Sequence, residues 1–276
     1  MNSIKELAYK MFSDSQRMYV NNKEPHSFFD GYREVMFNGK IVKYEATMMR
    51  LLVMWDMYFS KTEWHELGAE LHRLITPKNN DWLKCRNEYR ILFVYMCCNH
   101  IDEKTLIKKG ETPDFILFIN DKRVGIEITE LTQAVQRQAG RMADVIHFEG
   151  TSSPKLRSFR LSGFEVIPSS STRGIYYCRQ NNADVQLEKA FVDNVELIKK
   201  KLRQYKVRPN LLDDMIIVCD ATRSLHITAK HECEQLFESL GGEKGSIPKV
   251  DVIILFDDVE NNQTKCMSWR DYLKVN

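Results

Sequence analysis

The 276-residue sequence predicts an α/β fold, a mixed β-sheet flanked by helices, with an N-terminal helical extension. Three observations lead there. Residues 111–130 hold two short apolar runs of strand-forming residues joined by a polar turn, the pattern of a β-hairpin. Between residues 183 and 256 a helical period alternates twice with continuous apolar runs, which is a helix–strand–helix–strand rhythm. Residues 1–77 show helical spacing and a capping signal.

The elements follow in order. Ile4, Leu7 and Met11 share one helical face. Residues 19–40 are mixed, with Pro25 and two glycines, and read as loop-rich. Residues 44–59 are strongly apolar and lack Pro and Gly. Ser60 and Glu63 match a capping box, opening a helix that carries Trp64, Leu67, Leu71 and Leu74. His65 and His72 lie seven residues apart on it and read as surface or packing histidines. Pro77 closes that helix, and Asn80 or Asp81 caps the next, over 82–100, with Leu83, Ile91, Val94, Tyr95 and Cys98 as core candidates. A helix is expected over 130–145, then a polar, Ser- and Gly-rich stretch with strands near 164–167 and 174–178. Ala183 to Tyr205 is a helix with the stripe Leu187, Phe191, Val195, Ile198 and Leu202. Residues 215–219 and 250–256 are buried strands, and 232–240 is the helix between them, stopped by Gly241-Gly242.

Composition narrows the class. Hydrophobic residues make up 43% and charged residues 28%, enough for an ample core in a folded chain. No apolar stretch approaches the roughly 20 residues of a membrane-spanning helix, and the first residues show no signal-peptide pattern. Seven cysteines without a CxxC pair, Cys97-Cys98 among them, read as reduced thiols of a cytoplasmic protein. His226, His231 and Cys233 are too loosely spaced for a zinc signature. There is no phosphate loop of the GxxxxGK[ST] type, no GxGxxG, no GxSxG and no HExxH. Net charge is only +2, yet residues 131–210 hold 14 Lys and Arg against 7 Asp and Glu. That basic middle suits a polyanionic ligand, or it is a solvated surface, as the run Lys199-Lys200-Lys201 alone would suggest.

The candidate chemistry lies in the predicted hairpin. Asp114 opens its first run and Glu127 sits inside its second. A carboxylate within an apolar strand is costly unless paired, and two on neighbouring strands repel unless a cation lies between them. Pro113-Asp114 followed by Glu127-Ile128-Thr129 resembles the core of the PD-(D/E)XK, or restriction-endonuclease-like, nuclease superfamily. The likeness spans roughly residues 81–220, and it departs at the motif lysine, which is Thr129 here.

The resemblance implies a restriction-endonuclease-like domain over 81–276, with 1–77 serving target recognition, dimerisation or docking of a partner protein. It implies Mg²⁺ or Mn²⁺ on Asp114, Glu127 and the Ile128 carbonyl, with Glu88 of the preceding helix as a further ligand or an exposed glutamate. It places Gln133, Arg137 and Arg141 on one helical face beside a nucleic-acid groove. Lys122, Arg137 or Gln133 would replace the missing lysine, or a second metal would, or the site is weak. Asp114, Glu127 and Thr129 are then the catalytic candidates of a nuclease acting on DNA, in defence against foreign DNA. The alternative is a catalytically inactive module that binds nucleic acid or serves as a scaffold.

Overall fold

A computed structural model of the chain describes residues 3–20, 24–52, 59–75, 80–131, 142, 145–146, 152–161, 164–168, 176–180, 183–205, 212–222, 227, 229–241, 249–258, 261 and 263–275. Its centre is a mixed six-stranded sheet. The strands are β4 (Leu106–Lys109), β5 (Phe115–Ile119), β6 (Lys122–Glu130), β9 (Asp214–Asp220), β10 (Val250–Asp258) and β11 (Gln263–Ser268). Across the sheet the order is β11-β10-β9-β6-β5-β4. The three inner strands β6, β9 and β10 run parallel, and the antiparallel partners lie outside them. A separate antiparallel pair joins β7 (Phe164–Pro168) to β8 (Tyr176–Gln180) after the short helix α4 (Leu156–Leu161).

The inner strands read as continuous apolar runs because both faces of the sheet are covered. Met215, Ile217 and Cys219 of β9 pack into one cluster with α5 (Ala183–Tyr205), α6 (Lys230–Ser239) and α7 (Trp269–Val275). Ile216 and Val218 point the other way, into a cluster with α3 (Asn80–Cys98). This period-two alternation decides what β6 shows to each side. Ile126 and Ile128 face α3, whereas Glu127 and Thr129, level with Ile217 and Cys219, face α5.

Several expectations hold. Ile4, Leu7 and Met11 are buried on α1 (Ile4–Val20). Ser60 caps α2 (Lys61–Leu74), its hydroxyl accepting from the Glu63 N–H while the Glu63 carboxylate accepts from the Ser60 N–H at 2.7 Å. The stripe on α5 is buried at Val195, Ile198 and Leu202 and partly buried at Phe191. The hairpin turn is Asn120-Asp121, both at positive φ, the two-residue geometry that matches strand twist.

The N-terminal region corrects the all-helical expectation. Between α1 and α2 lies a three-stranded antiparallel sheet of β1 (Tyr32–Phe37), β2 (Lys40–Glu45) and β3 (Arg50–Leu51). Its turn is Asn38-Gly39, both residues at positive φ, between two runs rich in strand-forming residues. Val42 and Tyr44 are buried while Ile41 and Lys43 are exposed, so the period is two and not 3.6. The expected division near residue 80 falls at the start of α3, and α3 serves both sides of it. Trp82 stacks on Phe12 in the N-terminal cluster, while Cys85, Tyr89 and Leu92 pack against the large sheet. Leu83, an expected core position, is 44% exposed, because Trp82 takes the inward direction next to it. The edge strands β4 and β11 carry too few apolar residues to be read in advance.

Candidate functional site

The site is built where β5 begins. Phe115 pairs with Ile126, so the next antiparallel pair sets Asp114 opposite Glu127 and Pro113 opposite Ile128. Pro113 has no N–H to offer the Ile128 carbonyl, and the ladder stops there. The Asp114 carboxylate takes over: its Oδ2 accepts the Ile128 N–H at 2.7 Å. The N–H and C=O of a strand residue leave the strand on the same side, so the Ile128 carbonyl is turned toward that end of β5 as well. Gly110 holds the approach. Its N–H donates to the Asp114 carbonyl at 2.8 Å, and a Cβ on it would lie 2.5 Å from the Pro113 oxygen.

Glu88 comes from α3. Lys109, at the end of β4 and level with Phe115, links it to Asp114. The Lys109 ammonium is 2.8 Å from Glu88 Oε2 and 3.8 Å from Asp114 Oδ1, and it rests over the Phe115 ring at 4.5 Å. Burial pushes the Asp114 carboxyl up to about 6, and the charges of Glu127 and Glu88 add to this. The Ile128 N–H and Lys109 pull it back only in part. An acid shifted first by burial and then by like charges makes this end of the hairpin a candidate site.

Glu127 is 4% exposed and faces α5. Its Oε1 pairs with the Lys201 ammonium and its Oε2 accepts from the Tyr205 hydroxyl. Two residues on, the Thr129 hydroxyl is buried on the same face with no hydrogen-bond partner among the described residues.

The structure places Asp114, Glu127, Ile128 and Thr129 at one end of the hairpin, and Glu88 of α3 reaches that end through Lys109. Lys122 stays apart: it begins β6 at the turn, five residues and about 16 Å of strand from Glu127. As a replacement for the motif lysine it is corrected, because the period of the strand carries it to the wrong end of the hairpin. Gln133, Arg137 and Arg141 lie outside the described residues, as does His226; Glu130 is the last residue of β6 rather than the first of a helix.

Lys201, Tyr205 and Lys109 are the residues the sequence reading missed. The signal was present. Ile198, Lys201, Leu202 and Tyr205 lie three and four residues apart, so a lysine stands inside the apolar stripe of α5. Lys109 likewise follows Ile107 on the inward side of β4. A lysine on a buried face needs an acid to meet it.

Beside this group, at the carboxyl ends of β6 and β9, Arg90 of α3 pairs with Asp220 at 2.7 Å and donates to Asn87 Oδ1 at 3.1 Å. Asn87 in turn donates to Glu130, and Thr222 holds the other Asp220 oxygen at 2.6 Å. This network fixes α3 against the strand that carries Glu127.

The donors at the Asp114–Glu127 end are all oxygens, the kind a hard divalent cation takes, and two carboxylates with water and a phosphate suffice for Mg²⁺. Among the described residues no group of three or more His, Cys, Asp or Glu is placed to hold a metal ion. No helix among them is long and apolar enough to cross a membrane. No protein-family model, curated protein or solved structure matches the chain.

Proposed function

We propose that the chain is a divalent-metal-dependent nuclease of the restriction-endonuclease-like kind, hydrolysing phosphodiester bonds of DNA. The observation that carries this reading is the pair Asp114–Glu127 on one hairpin, with Lys201 of α5 on the Glu127 carboxylate. The sheet supports it, since an antiparallel hairpin supplies both acids beside parallel strands and α3 covers one face.

Asp114 and Glu127, with the Ile128 carbonyl, are the residues that would hold Mg²⁺ or Mn²⁺. A cation there supplies an activated water and offsets charge on the scissile phosphate. The chain's own groups do the rest. The Ile128 N–H fixes the Asp114 carboxylate at Oδ2. Tyr205 fixes Glu127 at Oε2. Lys201 brings a positive charge to the face where Thr129 has none, and so can hold a phosphate oxygen or orient the attacking water. The basic composition of residues 131–210 favours a polyanion.

The test is cleavage of duplex and single-stranded DNA and RNA in Mg²⁺, Mn²⁺ and chelator, with Glu127→Gln and Lys201→Met alongside the wild type. The wild type should cleave only with metal, and each variant should lose at least about 100-fold. Absence of metal-dependent cleavage on every substrate, or wild-type rates in Glu127→Gln, overturns the reading.

One observation favours a second reading. Glu88 and Asp114 share Lys109 and Glu127 faces Lys201, so most of the carboxylate charge is met without a metal. In that case the domain binds nucleic acid or serves as a scaffold without turnover. Calorimetry separates the two: the second reading predicts no heat from Mg²⁺ titration and retained DNA binding.

A further inference from the structure

Away from the acidic site, the last turn of α3 meets the edge strand β11. β11 pairs with β10 so that Cys266 is level with Leu255, which places its side chain on the face covered by α3. Cys98 is the final residue of α3 and packs into the same cluster. The Cys98 Sγ lies 3.8 Å from the Thr264 carbonyl, and the Cys266 Sγ lies 4.0 Å from the Cys98 carbonyl. The Asn99 amide donates to the Cys266 Sγ at 3.6 Å.

The two thiols thus lie side by side, Cys266 reaching the backbone of Cys98 and Cys98 reaching the strand that carries Cys266. The Cys98 thiol donating to the Cys266 sulfur, helped by the Asn99 amide, brings Cys266 down to about 7 against the opposing effect of burial. The same contact pushes Cys98 up. Both residues are half-buried, whereas Cys85, Cys219 and Cys233 are fully buried in the core. β11 is an edge strand with Gln263, Thr264 and Lys265 exposed, so a small oxidant reaches the pair.

We propose that Cys98 and Cys266 form a peroxide-reactive dithiol site that closes to a disulfide between the end of α3 and the edge strand β11. The Cys266 thiolate attacks a peroxide oxygen; the O–O bond breaks, one oxygen leaves as water, and Cys266 becomes a sulfenic acid. The Cys98 sulfur then attacks the Cys266 sulfur, the S–S bond forms, and the hydroxyl leaves as a second water with the Cys98 proton. The two thiols together lose two electrons and the peroxide gains them. The pairing reaches 168 residues along the chain, so its closure ties the helix that carries Glu88 to the rim of the sheet. The inference stands independently of the nuclease reading.

The experiment uses the full chain treated with hydrogen peroxide, alkylated, and mapped without reduction. The expected product is a peptide pair joined through Cys98 and Cys266, opened again by dithiothreitol. Cys97→Ser should give the same product, although Cys97 is adjacent and exposed. Cys98→Ser should leave a sulfenic acid on Cys266 that dimedone traps, and Cys266→Ser should oxidise at Cys98 roughly tenfold more slowly. A wild-type map lacking the 98–266 link, a link through Cys97 instead, or sulfenic acid trapped elsewhere in Cys98→Ser overturns the proposal. The wild-type map decides by itself should either serine variant fail to fold.

Discussion

Replacing Asp114 by Asn should make the protein more stable at neutral pH. The native carboxyl is pushed from 3.8 up to about 6, first by burial and then by the charges of Glu127 and Glu88. The folded state therefore holds its proton more tightly than the unfolded chain. Between about pH 4 and pH 6 the native state binds more protons, so stability falls as pH rises through that window and stays lower above it. At about 1.4 kcal/mol per unit, ionised Asp114 costs about 3 kcal/mol at pH 7.5 and roughly half as much at pH 5. Asn keeps an oxygen for the Ile128 N–H and carries no charge. It forfeits only the 3.8 Å approach of Lys109, which keeps Glu88 at 2.8 Å. A net gain of about 2 kcal/mol corresponds to a rise in Tm of roughly 4–8 °C for a chain of this size. Thermal unfolding at pH 5.0 and 7.5 measures it, and the gain should be larger at pH 7.5. Equal gains at both pH values, or a less stable Asp114→Asn protein at pH 7.5, would refute the assignment of Asp114 as a destabilised buried acid. Millimolar Mg²⁺ should raise the Tm of the wild type and not of the variant, because a ligand stabilises only the state that binds it.

The other expectations concern what holds the site in place. Gly110→Ala should cost about 1–3 kcal/mol by unfolding, since its Cβ would meet the Pro113 backbone oxygen at 2.5 Å. Gly125→Ala should cost less, about 1 kcal/mol, because the atoms that close on it belong to the Leu212, Met215 and Pro113 side chains and the first two can shift. Glu127→Ala should lower stability by about 2–4 kcal/mol, leaving Lys201 and Tyr205 without their acceptor, whereas Glu127→Gln should stay within about 1–2 kcal/mol of the wild type. Ser60→Ala removes the cap of α2 and should cost about 1 kcal/mol, with no effect on nucleic acid or metal binding.

How much of this was legible follows from the range over which each signal acts. The hairpin of β5 and β6 was readable because its turn, its apolar runs and its acids lie within twenty consecutive positions. The parallel strands were readable because burial on both faces leaves uninterrupted apolar runs. The N-terminal sheet carried an equally local signal, Asn38-Gly39 between strand-forming residues, but Pro25 and the two glycines of residues 19–40 drew the reading toward loop instead. The edge strands β4 and β11 could not be found, since an exposed edge needs few apolar residues. Within the site, Asp114 and Glu127 were marked by their cost in apolar strands. Lys201 was marked only by standing in the apolar stripe of α5, and its partner, 74 residues away, is set by the sheet order alone.

That long-range lysine changes what the site can do. Glu88, Asp114 and Glu127 carry three negative charges when ionised, and Lys109 and Lys201 return two positive ones inside the site, while Lys84, 3.6 Å from Glu88, lies largely in solvent. The group is left with a single negative charge in a mostly buried setting, where charges interact several-fold more strongly than in water. A lone lysine at position 129 would have been fixed on the strand between the acids. Lys201 instead reaches in from a helix, and it is 25% exposed on its side chain while Glu127 is 5% exposed. It can therefore leave Glu127 for an incoming anion without leaving the site. A divalent cation on the acids would turn the net charge from minus one to plus one, the sign that a phosphodiester requires. On this account metal and phosphate bind cooperatively: each supplies the charge that the other displaces from Lys201. Mg²⁺ should then bind more tightly in the presence of a short DNA duplex than alone, and the same factor should tighten DNA binding when Mg²⁺ is present, since coupling between two ligands is reciprocal. Lys201→Met should shrink that factor toward one, because the displaced charge is no longer there to be shared.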